Sequence, residues 1–282
     1  MKYTNKLGLP KVVVEAIKQD DRDYDDYTFS VTEILNPTRI IWLKKRHKDE
    51  IEVDVSSMIW AMLGTATHYI TDQYSTDESI TEERLSKNIE GMTITGQFDL
   101  YENKVLYDLK TTSMWTKVYG YREEWEQQLN IYRYLLNEAG FEVEELKIIA
   151  IYRDWSKYQG MKQGIPNQVD TINIPMWRLD ETEYFIRERL IEIKAMRDLK
   201  DENLPLCTPE QRWANSTQYA VKKPGRKSAV KLWDNMAEAQ KDAAKRGKGH
   251  YVEIRQGKDK RCIDYCDCKE FCSYYKENYG GK

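Results

Sequence analysis

The chain has 282 residues, 40% hydrophobic and 32% charged, and a formal net charge of −3. That is enough apolar sequence for a full globular core, and it excludes a uniformly cationic nucleic-acid binder. No run of 18 apolar residues occurs, so no membrane span is predicted; no secretory layout opens the chain, so a cytoplasmic location with reduced thiols is expected.

In chain order, Leu9-Pro10 followed by KVVVEAIKQ predicts a short helix with proline in its first turn. SSMIWAMLGTATHYITDQY, residues 56–74, has helical periodicity, with Ile59, Met62, Leu63, Ala66 and Ile70 on one apolar stripe. Gly64 and His68 lie one turn apart on it.

MTITGQFDLY and KVLYDLKTT then read as two strands joined at Glu102-Asn103, since Asn accepts the positive φ of a tight turn. The expected pairing sets 99 opposite 106 and 97 opposite 108. Asp99, Asp108 and Lys110 then share one face. Ile94, Phe98, Leu100, Val105, Tyr107 and Leu109 take the other, an apolar face, with Gly96 among them. Two carboxylates and an amine side by side suit a hard divalent cation with oxygen ligands. A solvated polar face of an antiparallel sheet is the alternative.

EEWEQQLNIYRYLLNEAG predicts a helix ending at Gly140, with Gln128 and Tyr132 four apart on one face. VEELKIIAIYRDWSK predicts a core strand in which Ile148, Ala150 and Tyr152 alternate against Ile149, Ile151 and Arg153; Arg153 is expected to pair with Asp154 or other acids, with phosphate as the alternative. A loop and then a strand are expected over 160–175. A long charged helix follows, with Asp180 or Thr182 as its cap.

Farther on, QYAVKK, SAVKLW, NMAEAQKDAAKRG and HYVEIRQG read as strand, strand, helix and strand, a ββαβ module. Between Asn215 and Arg261 thirteen lysines and arginines face five acids, a net of +8, so the rest of the chain carries −11. A local phosphate-binding surface is the implication, with a merely solvated lysine-rich module as the alternative.

Four of the five cysteines crowd into RCIDYCDCKEFC, with Cys207 alone upstream. Without an export signal such crowding suggests thiolate ligation of an Fe–S cluster or Zn²⁺ rather than disulfides.

The order Gly-x-x-x-His, Gly-x-x-Asp, Asp-Leu-Lys-Thr, Gln-x-x-x-Tyr resembles the PD-(D/E)XK nuclease superfamily over residues 28 to 136. Within it, the RecB-like and Cas4-like exonucleases and their phage relatives are the nearest in pattern. FSVTEILNPTRIIWLKKRH at 29–47 is similar to the opening segment of the phage members. Phe98-Asp99 stands where the superfamily's name has Pro-Asp.

The resemblance implies an α/β, mixed α+β fold. A restriction-endonuclease-like core of a central mixed sheet flanked by helices would fill residues 1–206, and the cysteine-bracketed basic module residues 207–282. It implies metal-dependent hydrolysis of DNA phosphodiester bonds, with Asp99, Asp108, the Leu109 carbonyl and His68 as ligands of Mg²⁺ or Mn²⁺. Lys110 would position the water, and Gln128 and Tyr132 would contact the nucleic acid or steady the site.

It implies a structural [4Fe–4S] cluster on Cys207, Cys262, Cys266 and Cys272, with Cys268 spare and Zn²⁺ as the alternative on the same sulfurs. Cys207 follows the core, whereas the distant cysteine of Cas4-like members precedes it. A non-catalytic nucleic-acid-binding protein of the same fold is the competing reading. Recombination or replication proteins are the partners such a nuclease would meet.

Overall fold

A computed structural model describes residues 1–18, 25–74, 76 and 78–280. The chain divides into two compact units, Met1–Leu199 and Lys200–Lys282.

The first unit begins with strand β1 (Lys2–Thr4) and helix α1 (Lys11–Ile17). Pro10 is the residue before that helix rather than part of its first turn; Gln19, the end of the expected helix, lies outside the described residues. Then come β2 (Thr28–Ser30), α2 (Val31–Ile34), α3 (Thr38–Arg46) and β3 (Glu52–Asp54). Ser30 and Glu33 form a reciprocal capping box that starts α2 at the end of β2.

Next in order are α4 (Ile59–Asp72), β4 (Ser79–Thr81), β5 (Arg84–Ile89), β6 (Met92–Gln97), β7 (Leu100–Glu102) and β8 (Val105–Thr112). The unit closes with α5 (Trp115–Tyr119), α6 (Glu123–Glu138), β9 (Glu145–Tyr152), α7 (Lys157–Gln163), β10 (Val169–Ile174) and α8 (Leu179–Met196).

A five-stranded sheet runs β10-β9-β8-β7-β4, and a three-stranded sheet runs β2-β6-β5. In the larger sheet only β8 and β9 pair in parallel, so the sheet is mixed. The parallel pair needs a crossover, which α5 and α6 supply. Ile148, Ala150 and Tyr152 of β9 are buried, as their alternation predicts. On the helical side, Trp42 of α3 donates its indole N–H to the Ile193 carbonyl of α8 at 2.9 Å. This is the mixed α/β architecture, a central mixed sheet flanked by helices, that the sequence leads one to expect.

Several expectations are corrected. The turn falls at Asn103-Lys104 (φ 50° and 61°), and Glu102 pairs with Val105. The register therefore sets Leu100 opposite Tyr107, a shift of one position on each strand from the expected pairing. The expected first strand also breaks at Phe98-Asp99, with β6 in one sheet and β7 in the other. Nor is the acid-bearing face solvated: Leu106 and Asp108 are as buried as the apolar side, because β8 lies at the centre of its sheet.

The expected loop before β10 holds the short helix α7, capped by Ser156. Arg178 precedes α8, so Asp180 lies inside its first turn and Thr182 is no cap either. The apolar stripe on α4 is not a core stripe: Leu63 is 41% and Ile70 59% exposed, and no residue of that helix is buried. Arg153 lies over the Trp60 ring, 4.6 Å from its centre, and acts on Asp154 only through its charge. Asp154 instead accepts from the Ser113 hydroxyl and the Met114 amide.

The second unit is the ββαβ module and what brackets it. Strands β11 (Gln218–Lys222), β12 (Lys231–Trp233) and β13 (Tyr251–Arg255) form an antiparallel sheet in the order β12-β11-β13. Helix α9 (Met236–Lys245) covers one face through Ala239 and Ala243, which pack on Val221, Tyr219, Trp233 and Val252. A last helix, α10, spans Ser273–Tyr279.

Candidate metal centre

Strand register builds the site. Thr81 of β4 pairs with Leu100, so one step further Glu82 stands across from Asp99; the Glu82 amide donates to the Asp99 carbonyl at 3.2 Å. On the other side, Leu100 pairs with Tyr107, so the same step sets Asp99 across from Asp108. The Leu109 amide donates to Asp99 Oδ2 at 2.6 Å and fixes that carboxylate. Three acids thus lie in a row across three chain segments. Directly opposite residues share a face.

His68 reaches the row from α4. Its Nδ1 lies 3.0 Å from Glu82 Oε1 and 3.4 Å from Asp99 Oδ1. Among the described residues, His68, Glu82 and Asp99 are the set of three whose ligand atoms all lie within 4.8 Å of one another. Glu82 was not among the residues the sequence singled out. It sits on the far side of Asp99 from the recognised hairpin, and no turn residue marks it. Its φ of +50° is costly for a side chain with a Cβ, by roughly 1–2 kcal/mol. Gln97 holds its other oxygen at 2.9 Å.

Asp108 is 1% exposed, and neither of its oxygens takes a hydrogen bond. Lys110 Nζ lies 2.7 Å from Oδ2, near enough for an ion pair, but the approach lacks hydrogen-bond direction. A buried carboxylate left this way is costly unless something else ligates it. Lys110 also donates to Gln128 Oε1 at 3.2 Å, and Gln128 Nε2 donates to the Tyr132 hydroxyl at 3.1 Å. The Gln-x-x-x-Tyr pair therefore steadies the lysine from α6. Leu109 contributes its amide to Asp99, as described.

The electrostatics follow. Burial first, then the negative charge of Asp108, raises the Asp99 carboxyl well above the usual carboxylate range. The hydrogen bond to Glu82, with the charges of Asp99 and Asp108, holds the His68 imidazole above its ordinary value against the pull of burial. Burial and the nearby Asp108 raise the Tyr132 phenol, which stays neutral. Groups perturbed in this way cluster at functional sites.

Glu82, His68, Asp99 and Tyr132 open onto a cleft of about 1110 Å³ whose lining also includes Lys44, Lys45 and Arg84. Lys45 is pinned to the Asp25 and Thr28 carbonyls and lies over the Phe29 ring. Acids and cations both line the cleft, Lys45 beside Glu33, and Arg84 and Glu82 on the same Gln97.

All five cysteines fall in the second unit. Ala214 and Asp259 bridge the two chain segments that carry Cys207 and Cys262. Asp259 is buried and accepts from the Tyr274 and Tyr279 hydroxyls and from Arg212. Arg212 in turn donates to the Cys207 carbonyl. Cys266 and Cys268 have sulfurs 3.5 Å apart. Burial, then Asp259 and the other thiols, push the Cys262 thiol up to about 12.

No protein-family profile matches the chain, and no curated protein matches it. Among solved structures, a chain designated SSO0001 aligns at 18% identity and a TM-score of 0.45, over 61% of this chain and 79% of its own. An alkaline exonuclease from Laribacter hongkongensis aligns at 12% and 0.41, over 61% and 90%. A candidate exonuclease from Eubacterium rectale aligns at 19% and 0.32, over 59% and 69%.

Proposed function

We propose that the chain is a metal-dependent DNA exonuclease that hydrolyses phosphodiester bonds. The observation that carries this is Asp108, a buried carboxylate with no hydrogen bond, beside Asp99 and Lys110. The donor set of one imidazole and three carboxylates fits Mg²⁺ or Mn²⁺, the imidazole favouring Mn²⁺. His68, Glu82, Asp99 and Asp108 would hold the ion, with the Leu109 carbonyl as a further oxygen. When bound, the ion supplies Lewis acidity and lowers the pKa of a water.

The remaining work falls to side chains. Lys110 has three N–H donors; Gln128 takes one and Asp108 is an ion-pair partner without a directed hydrogen bond, which leaves donors for a water or a phosphate oxygen. Gln128 and Tyr132 fix its direction, so the ammonium is in place before substrate arrives.

The second unit would carry a [4Fe–4S] cluster on Cys207, Cys262, Cys266 and Cys272. Among the described residues, no three cysteine sulfurs lie within 4.8 Å of one another. Tetrahedral Zn²⁺ on the same four sulfurs is the alternative reading. Cys268, fully buried, acts as a small apolar side chain in this reading.

The decisive experiment is cleavage of end-labelled DNA with Mn²⁺, comparing wild type with Asp108→Asn. Wild type should cut and the variant should lose nearly all activity; equal cutting by both removes the assigned site. No cutting by wild type leaves the binding-only alternative. Iron and sulfide in anaerobically purified protein should be near four each per chain; stoichiometric zinc with no sulfide refutes the cluster.

A further inference from the structure

The charge of the second unit is sorted by its topology. Strand β11 ends at Lys222, which pairs with Tyr251 at the start of β13. Strand β12 starts at Lys231, and α9 ends at Lys245. The turn from β11 to β12 and the turn from α9 to β13 therefore lie at one pole of the module. They touch there: a Cβ on Gly249 would lie 3.9 Å from Pro224 Cδ. The strand ends facing the cysteine segments form the opposite pole.

The two touching turns read KPGRKSAV and RGKGH. Lys223, Arg226, Lys227, Lys245 and Lys248 are all exposed. Among the described residues none of the five lies within 4 Å of a carboxylate oxygen. The module's acids are elsewhere or already engaged. Asp242 pairs with Arg246, Glu253 with Lys222 and Arg255, and Asp234 and Glu238 lie at the opposite pole. Gly225, Gly247 and Gly249 hold φ of 82°, 85° and 89°, so the turns need glycine to bend this tightly and present the cations together.

We propose that this pole docks on the phosphate backbone of duplex DNA. Five cations with no carboxylate partner among the described residues, on two adjoining turns in a chain of net charge −3, give charge complementarity to one anionic surface. No large apolar side chain sits on the turns, which sets the pole apart from a membrane-inserting surface. The two turns themselves carry no Trp, Tyr or Phe for stacking single strands; the exposed Tyr251 stands just beyond them as the first residue of β13. The contact is to backbone, so it reads no sequence. The choice of DNA rests on the nuclease reading; the docking itself does not need cleavage.

The test is duplex binding by the full chain in EDTA, where nothing is cut, across a salt series. The variant Lys223→Gln, Lys227→Gln, Lys245→Gln, Lys248→Gln is compared with wild type. Removing four phosphate contacts should flatten the log–log salt slope by about three to four and weaken binding at low salt at least about tenfold. A control that removes Lys6, Lys11, Lys157 and Lys162 should leave the slope as it was. Four lysine-to-arginine changes at the pole should keep binding, which shows that charge and not folding is read.

An unchanged slope in the glutamine variant overturns the proposal. So does a loss confined to single-stranded DNA, or to vesicles of phosphatidylserine, with duplex binding intact. Wild type that binds duplex at the pole but never cuts with Mn²⁺ keeps this inference and removes the nuclease reading.

Discussion

Asp108 shows how much one residue can report. Its neighbours leave both oxygens without hydrogen bonds, although it lies at the centre of the sheet. Asp108→Asn should therefore stabilise the metal-free protein by about 1 kcal/mol, since the desolvation cost of a buried carboxylate without hydrogen bonds exceeds what its ion pair with Lys110 returns. The same change should abolish the Tm rise that Mn²⁺ gives wild type. Thermal melts with and without Mn²⁺ read both effects; a destabilised metal-free variant argues that the carboxylate is satisfied by its lysine alone. Proton linkage gives a second outcome. Asp99 and His68 are both raised in the folded state, so their stabilising contribution is present at low pH and fades as pH rises through those shifted values. A cation must displace the protons they hold. The Mn²⁺-induced Tm shift should thus grow from about pH 6 to about pH 8. A shift that shrinks over that range contradicts ligation by this pair.

At the scale of elements, the sequence carried the strands and helices well and the register poorly. Alternation marks β9 because every second side chain meets the core. The Gln-x-x-x-Tyr pair is visible because helical spacing fixes it. The hairpin register depends on two φ angles at Asn103 and Lys104, which composition constrains only weakly. Glu82 was invisible because β4 joins the site through strand pairing distant in sequence. Helix α4 misled for a related reason: its apolar side chains look like a core stripe, yet no residue is buried. It is tied to the sheet by His68 to Glu82 and by Thr81 to Asp72. A cation bridging His68 to the acids should hold it more firmly. Mn²⁺ should therefore slow amide exchange over Ile59–Asp72, and His68→Ala should remove that protection while leaving α6 unchanged. Gly96 belongs here as well. A Cβ on it would sit 2.5 Å from Tyr132 Cε1 and 2.7 Å from Val31 Cγ2, so β6 can pass the tyrosine only without a side chain. Gly96→Ala should cost about 1–3 kcal/mol and, by displacing Tyr132 from Gln128, reduce kcat more than it raises KM. A variant with normal stability and kcat would show that the tyrosine moves aside freely.

Across the whole molecule, chemistry is divided between units of unequal self-sufficiency. The acids, His68 and Lys110 all lie in Met1–Leu199, whose core runs through two sheets and their helices. All the cysteines lie in Lys200–Lys282, where the core around α9 has Val221, Ala239 and Ala243 as its buried members. So small a core is a weak source of stability for a unit of this size. The brackets around it must supply the rest: Asp259 with its tyrosines and Arg212, and whatever the thiolates bind. A ligand on Cys207 and Cys262 would close the long loop that contains the module, and its binding free energy would be folding free energy. Cys262→Ser in the full chain should then lower the melting of the second unit by several degrees and raise its amide exchange. The Mn²⁺-dependent Tm shift of the first unit should survive the change, because none of its ligands is touched. Calorimetry with exchange resolved by segment separates the two responses. Loss of the Mn²⁺ response together with the second unit would mean that the cysteines support the catalytic fold directly, and that the two units melt as one.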